Sequence, residues 1–597
     1  MHGDTGTSVP EWFVNLPLSD PRCRNDSCAA FKQAHTASQK QISWASQFEY
    51  GRYTTWFYVG IVGLFVFARL LHVQADRKAC SEAVGLKHKL KAAIRFVSYR
   101  RISGRVGVYL GLPSIGVLIL ILVSFIVATA MSFTQRPYYR GSRLYGSPPL
   151  GVRAGLMAAA LIPLIIALGG KVNLVTMLTG IGHEKLNALH RWVGWIMFFL
   201  STVHAIPFFV QESKEGLLRK KFYAQGSLEF TGTPTYAICF FLVAFSLPSL
   251  RRRFYETFAY SHILGAIVFF GLCFWHFANL RDSWYYLYGA LAVWLFQLLG
   301  RIFWKTSTLK ISENWFGGLP TVAYRLSGDM VKLEVFVPED WMWRPGQHVF
   351  LRFPQLNPLD NHPFTIASIP STQCESEKDS GNVMTFLVRA QSGSTRKLLS
   401  WLEKTSEARL STIVEGPYGT VARRYENWAE EVVLVAGGNG ISACLPYLLH
   451  LIRAMRKKSC VTRRVRVLWM LRRSEHFTWV SKEVHQALRD APEGSVCIHL
   501  YVTEPKESDP FQGLAGRMTD CAVDSEEQVK GLRKHYAGRP DLHQLLPQSV
   551  DTRSTAVIAC GPDSLKIDVS NATARLQTKV LHGQASEISL HTEMFDW

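Results

Sequence analysis

The chain has 597 residues, of which 48% are hydrophobic, 12% aromatic and 19% charged; its mean hydropathy is +0.06 and its formal net charge +20. That hydropathy is too high for an ordinary large soluble enzyme and too low for a chain that is all membrane, so two kinds of domain are expected. The 66 basic residues are spread over loops and the C-terminal half with no single basic stripe, which argues against nucleic acid as a partner.

Residues 1–50 lack the basic start and apolar core of a cleavable leader, so the first apolar span is expected to serve as its own targeting signal. Asn25-Asp26-Ser27 is a glycosylation sequon lying between Cys23 and Cys28. The two cysteines either close a small disulfide loop, if the segment is extracytoplasmic, or are unrelated thiols. None of the eleven cysteines forms a CxxC pair, so neither a zinc ribbon nor a thioredoxin-type centre is expected.

Residues 53–305 contain seven apolar stretches: 54–72, 106–130, 152–170, 187–210, 233–250, 257–278 and 284–304. Each approaches the roughly 20 residues that a helix needs to cross a hydrocarbon core of about 30 Å. The first connecting loop, 73–105, holds Arg77, Lys78, Lys87, Lys89, Lys91, Arg95, Arg100, Arg101 and Arg105. With Lys171, Lys185 and Arg251 to Arg253 this side has fourteen basic residues. The other side has nine: Arg136, Arg140, Arg143, Arg153, Lys214, Arg219, Lys220, Lys221 and Arg281. The bias places the N-terminus outside and the C-terminal half in the cytoplasm.

The fourth span carries His190 and His204, the sixth His262 and His276; each pair is separated by 14. Fourteen helical steps return to within about 40° of the starting face and advance about 21 Å. The two spans run in the same direction, so His190 can face His262 on the cytoplasmic side and His204 can face His276 on the outer side. Two imidazoles from facing helices are what a six-coordinate haem requires. Buried hydrogen-bonded histidines, or a proton or metal path, are the alternatives, but ionisable groups inside membrane helices are rare and usually functional. His183 falls on nearly the same face; it is read as an interfacial loop residue. Arg191 either neutralises a propionate or snorkels to the interface.

After Lys305 the periodicity changes. Strand-like runs at 309–313, 320–326, 330–337, 347–353, 363–369, 383–390 and 410–415 suggest a small antiparallel barrel. From 431 strands and helices alternate (431–437, 441–456, 465–471, 479–489, 495–503, 555–560), as in a parallel-sheet dinucleotide domain, with 505–553 read as an insertion. Gly438, Gly440 and Ala443 fit G-x-G-x-x-A at a strand–turn–helix junction, which puts Ile441 and Ser442 at the helix start. The second strand ends in Arg472-Arg473, where basic residues favour the 2′-phosphate of NADP over an NAD ribose; a solvated strand end is the plain alternative.

The doubled H-x13-H pattern, with the soluble modules behind it, resembles the ferric reductase and NADPH oxidase superfamily over nearly all of residues 55–597. His362-Pro363-Phe364-Thr365 resembles its FAD-binding motif. The resemblance implies that these four residues hold the flavin, and Arg389 with the helix start at Gly393, Ser394 and Thr395 suits the pyrophosphate, unless this is an ordinary capped helix. Cys560-Gly561-Pro562 resembles the turn beside the nicotinamide, and Gly538-Arg539-Pro540 a further dinucleotide contact through Arg539. Gly416-Pro417-Tyr418-Gly419 matches the turn between the modules. The aromatic end at Trp597 resembles a cover over the flavin ring.

The expected fold is a helical transmembrane haem bundle of about seven helices, then a cytoplasmic antiparallel β-barrel FAD domain and an α/β nucleotide-binding domain of ferredoxin-NADP reductase type. The expected domains are an extracytoplasmic segment 1–52, haem domain 53–305, FAD domain 306–425 and NADPH domain 426–597. The resemblance implies a multi-pass protein of the plasma membrane, or of an organelle such as the vacuole. Its cofactors would be FAD and two b-type haems, its donor NADPH and its acceptor a ferric or cupric chelate, with a downstream iron-uptake oxidase or permease as a partner. Lys214, Arg219, Lys220, Lys221 and Arg281 either attract anionic chelates or only keep the loops solvated. An oxidase that makes superoxide and a histidine-lined transporter are the competing readings; the transporter leaves the flavin and nucleotide modules unexplained.

Overall fold

The computed structural model describes residues 20–21, 26–77, 85–305, 318–358, 360–370, 382–391, 393–405, 407–419, 423–504, 531–535 and 538–593. Asn25, Cys23, Trp597 and the expected strand 309–313 lie outside them; Cys28 is buried and disulfide-bonded. The chain forms two compact units, one of residues 1–66, 119–175 and 185–297, the other of 67–118, 176–184 and 298–597.

Seven helical segments among the described residues are long and apolar enough to cross a membrane. They are Glu49–Arg77, Ile115–Phe133, Pro149–Gly169, His183–Lys214, Leu228–Phe245, Tyr255–Phe277 and Ser283–Gly300. Two are displaced from expectation. The second starts at Ile115, because Gly111 (φ +56°) and Pro113 separate it from a short helix at Arg105–Tyr109. The fifth starts at Leu228, where the Ser227 hydroxyl accepts from the Phe230 amide, and it stops before Pro248.

Small residues Ala154 and Ala158 to Ala160 let the Pro149–Gly169 helix pack deep in the first unit, around Met157, Leu200 and Leu287. Arg153, expected in a loop, is fully buried there. It donates to the Ser132 carbonyl (2.8 Å), Gln47 Oε1 (2.9 Å) and the Gln135 carbonyl (3.1 Å), beneath the Tyr50 ring. A charge buried in this way is tolerated only because its donors are met.

In the second unit, strands β1 (Leu319–Arg325), β2 (Met330–Val337), β3 (His348–Arg352), β4 (His362–Thr365), β5 (Asn382–Arg389) and β6 (Glu407–Tyr418) form one antiparallel sheet in the order β4-β3-β6-β1-β2-β5. The Ala367 amide donates to the Thr385 carbonyl (2.8 Å) and the Thr385 amide to Ser368 Oγ (3.1 Å), so the ends meet and the barrel is nearly closed. Alternate residues Val331, Leu333 and Val335 fill it from β2.

Six parallel strands follow: β7 (Glu431–Gly437), β8 (Arg464–Leu471), β9 (Val496–Val502), β10 (Leu532–His535), β11 (Ser554–Cys560) and β12 (Glu587–Glu593), in the order β10-β9-β8-β7-β11-β12. The fold class is as expected, with two corrections. The segment 505–553 is not all insertion, because it supplies β10 and a helix at Leu542–Gln548. Nor is β11 the last strand, since β12 pairs beside it. Both missed strands lie at sheet edges and are polar, so they lack the apolar run that marks a central parallel strand.

The loop 73–105 is more than a basic linker. Its helix Leu86–Ser98 packs on the Asp563–Leu581 helix and β12, burying Ala92 with Leu576 and Ile588. Lys91 (2.8 Å), Arg95 (2.9 Å) and Arg423 (2.5 Å) converge on Glu587 Oε1, and Arg101 and Asn571 exchange hydrogen bonds. Burial, with Arg95 alongside, pushes Lys91 down to about 8.

Candidate functional site

The four membrane histidines meet in pairs. His190 and His262 have ring centroids 6.2 Å apart, His204 and His276 5.9 Å. A metal about 2 Å from the nitrogen of each of two facing imidazoles holds their centroids about 6 Å apart. Each Nδ1 is engaged: His190 with the Ile165 carbonyl (2.8 Å), His204 with the Gly151 carbonyl (2.7 Å), His276 with the Leu228 carbonyl (3.1 Å) and Thr231 Oγ1 (3.2 Å), His262 with Ser246 Oγ (3.3 Å). A proton held on Nδ1 leaves Nε2 as the coordinating nitrogen. A cavity of 680 Å³, lined mainly by apolar side chains, contains His204 and His276. The donors, their spacing and this cavity fit bis-imidazole haem.

The neighbouring helices repeat the same step, a signal that the histidine spacing alone did not reveal. A Cβ on Gly155 would stand 2.5 Å from His204 Nδ1, and one on Gly169 3.1 Å from His190 Nδ1. A Cβ on Gly232 would stand 2.9 Å from His276 Cε1, and Ser246 meets His262. Gly155 and Gly169 are 14 residues apart, as are Gly232 and Ser246, and Gly151 and Ile165.

In the barrel, His362 to Thr365 form β4 at the sheet edge, where Pro363 costs no ladder bond. Asp360 Oδ2 accepts from Ser394 Oγ (2.5 Å) and stands 3.8 Å from His362 Nε2, so β4 faces the start of the Gly393–Leu402 helix. His362 Nε2 is buried and makes no hydrogen bond, an orphaned group of the kind that a polar ligand satisfies. Ser394 is committed to Asp360, and Thr395 Oγ1 accepts from the Gln391 amide; an anion here would be met by main-chain N–H groups and the exposed Arg389 rather than by those hydroxyls. The residues fit a flavin nucleotide.

At the carboxyl edge of the parallel sheet the expected nucleotide residues come together. Gly438 (φ +54°) leads β7 into the Ile441–Arg456 helix, whose first turn holds Ser442. A Cβ on Gly440 would run into the Cys560 carbonyl, and one on Gly437 would meet Pro562 at 3.0 Å. Gly437 and Gly440 thus pack on Cys560-Gly561-Pro562 with no room for a Cβ, while Gly438 faces open space and is required by its positive φ. Arg472 and Arg473 follow β8 on the same edge; Arg472 pairs with Glu504 (2.7 Å) and Arg473 with Glu475 (3.4 Å). Arg539 pairs with Asp568 (2.6 Å) on the helix that follows Pro562. Tyr447 Oη, buried without a hydrogen-bond partner, abuts Gly346 of the barrel, where Glu593 also arrives; a Cβ on Gly346 would strike Tyr447 Oη and stand 2.7 Å from Glu593 Oε1. The edge fits a nicotinamide dinucleotide.

His183 is corrected. It is the first residue of a helix and is buried, not a loop residue at an interface. Glu184 Oε1 stands 3.2 Å from His183 Nδ1 and 3.4 Å from His348 Nδ1, beside the Phe350 and Tyr418 rings. Its signal was the third histidine on one helical face, two turns before His190. Below it Glu415 takes both arms of Arg301 (2.7 Å each), Asn361 (3.0 Å) and the Tyr418 hydroxyl (2.8 Å).

Three families match along the chain: "Ferric reductase like transmembrane component" at residues 154–273, "FAD-binding domain" at 319–422 and "Ferric reductase NAD binding domain" at 429–574. A probable cell surface ferric reductase of Aspergillus oryzae, kap2, is 34% identical over 488 residues, 78% of this chain and 64% of that protein. The ferric/cupric reductase transmembrane component 7 of Saccharomyces cerevisiae is 28% identical over 607 residues, 94% of this chain and 95% of that protein. Among solved structures, a ferredoxin NADP+ reductase of Neisseria gonorrhoeae with bound FAD and NADP matches at 13% identity and a TM-score of 0.31, over 46% of this chain and 98% of that one.

Proposed function

The chain belongs to the ferric reductase family, and from that premise we propose that it is a transmembrane NADPH-dependent reductase of ferric, and also cupric, chelates, supplying reduced metal for uptake. The observation that carries this reading is the stacking of two histidine pairs, each at metal-bridging distance, in the same two helices. Bound at β4, a flavin would supply the conversion of a two-electron hydride donor to single electrons and haem the one-electron transfer across a bilayer.

The chain's own residues bind and aim. His190 and His262 hold one haem and His204 and His276 the other, each imidazole oriented by its Nδ1 acceptor. His362, Pro363, Phe364 and Thr365 would hold the flavin, Arg389 and the start of the Gly393–Leu402 helix would meet its phosphates, and Trp597 is assigned to it by the family resemblance alone. The turn at Gly438 to Ser442 and Cys560 to Pro562 admits the dinucleotide, Arg539 flanks it, and Arg472 and Arg473 select the 2′-phosphate. No side chain has to act as an acid or base on the metal, which is reduced at the outer surface without entering the membrane. The working domains are 53–305, 306–425 and 426–597, with the N-terminal segment outside the plasma membrane and Asn25 glycosylated.

The test is a side-by-side assay of the purified, reconstituted protein. Fe(II) should form from ferric citrate at twice the rate of NADPH consumption, two Fe(II) for each two-electron donor, and be insensitive to superoxide dismutase. If superoxide forms faster than Fe(II) at saturating chelate, oxygen is the acceptor and the proposal fails.

A further inference from the structure

The Leu86–Ser98 helix presents two faces. Ala92, Lys91 and Arg95 lie on the face that docks on β12 and the Asp563–Leu581 helix. On the opposite side Leu86, Leu90, Ile94 and Val97 are 83%, 62%, 60% and 45% exposed. At 100° per residue these four fall within an arc of about 80°, and Lys87 and Lys89, both exposed, flank that arc on either side.

Four large apolar side chains in one exposed stripe, edged by lysines, make a helix that lies in a membrane interface; a water-facing helix would not carry them. The chain supplies the setting. One membrane helix ends at Arg77 and the next begins at Ile115, so the segment is leashed to the bilayer at both ends. The eight residues 78–85 span at most about 28 Å. We propose that the apolar stripe of Leu86–Ser98 lies in the anionic cytoplasmic leaflet, with Lys87 and Lys89 on its headgroups, while the opposite face grips the nucleotide domain. The helix is then a strut that moors that domain to the lipid surface. The proposal rests on the reading of 73–105 as cytoplasmic.

The test uses full-length protein in nanodiscs with p-benzoylphenylalanine at position 90 or 94. Position 482, exposed on the Ser481–Asp490 helix, is the control. Irradiation in phosphatidylcholine discs containing phosphatidylserine should give lipid adducts at 90 and 94 several-fold above 482, with haem and flavin content unchanged. Adduct yield should fall several-fold in pure phosphatidylcholine, and the pair Lys87→Glu and Lys89→Glu should abolish that difference. Adducts to polypeptide, whether this chain or another copy, would show a protein on this face and overturn the proposal. Yields no higher than at 482 would also overturn it. Equal yields in both lipids would refute the anionic contact. Protease accessibility of a tag on the 73–105 loop, inside or outside sealed cells, separates failure of the topology from failure of the contact.

Discussion

Each of the four membrane histidines has a fixed partner on Nδ1 and a facing ring about 6 Å away, so each should be individually indispensable to one metal centre and irrelevant to the other. Replacing His204 or His276 with Ala should lower haem content from two per chain to one by pyridine haemochrome analysis, with NADPH-to-flavin transfer intact. Gly155→Ala should do the same more mildly, because its methyl would displace the His204 ring while leaving His190 untouched. Replacing Arg472 and Arg473 with Ala should cut the preference of kcat/KM for NADPH over NADH by about ten-fold. The histidine pairs were legible because identity and spacing are written in the sequence. Their acceptors were not, since most are backbone carbonyls, which every residue has. Arg153 was misplaced for a related reason: a cation near a span end reads as a loop residue until Gln47, Ser132 and Gln135 are seen around it.

Among the elements, the docked helix depends on Glu587. Burial alone would raise this carboxyl, but Arg95, Lys91 and Arg423 outweigh burial and hold it well below the usual carboxylate range. A carboxyl whose folded pKa is depressed stabilises above its unfolded value of 4.5 and loses that contribution as pH falls further toward the folded one. Hydrogen-exchange protection of 86–98, corrected for intrinsic rates, should therefore hold from neutrality to pH 5 and decline below about 4.5. Glu587→Gln should remove it at neutral pH, at a cost of about 3 kcal/mol, because three cations lose their common partner. Central strands β7, β8, β9 and β11 were readable as apolar runs, and the barrel as alternation broken by Gly and Pro. The helix 86–98 escaped because its lysines mask an amphipathic period in a segment too short to stand alone.

For the whole molecule, the predictions concern topology and acceptor. An outside N-terminus predicts that Asn25 carries glycan, so that endoglycosidase treatment shifts the mobility of wild type but not of Asn25→Gln. Several of the cations that the sequence assigns to the outer side are engaged by the fold. Arg281 lies over Trp44 and Phe48 (5.1 Å each) and Lys214 over Tyr139 (5.7 Å), while Arg143 pairs with Glu212 (2.7 Å) and Glu229 (2.9 Å). Lys220 and Lys221, adjacent in sequence on the short Leu218–Tyr223 helix, offer paired positive charge for steering. Replacing both with Gln should raise the KM for ferric citrate and flatten its dependence on ionic strength, with kcat unchanged.

The fourteen-residue step shared by the histidine helices and the two helices that cradle them constrains how the protein can vary in length. The upper site is the lower one carried about 21 Å along four helical tracks that alternate in direction, and the tracks stay in phase only if all have the same count between rungs. A single residue inserted between 190 and 204 would swing one imidazole about 100° away from its mate, and no rotamer recovers that. The same holds for 151–169, 232–246 and 262–276. Connecting loops can lengthen or shorten freely, but these four intervals tolerate no insertion or deletion.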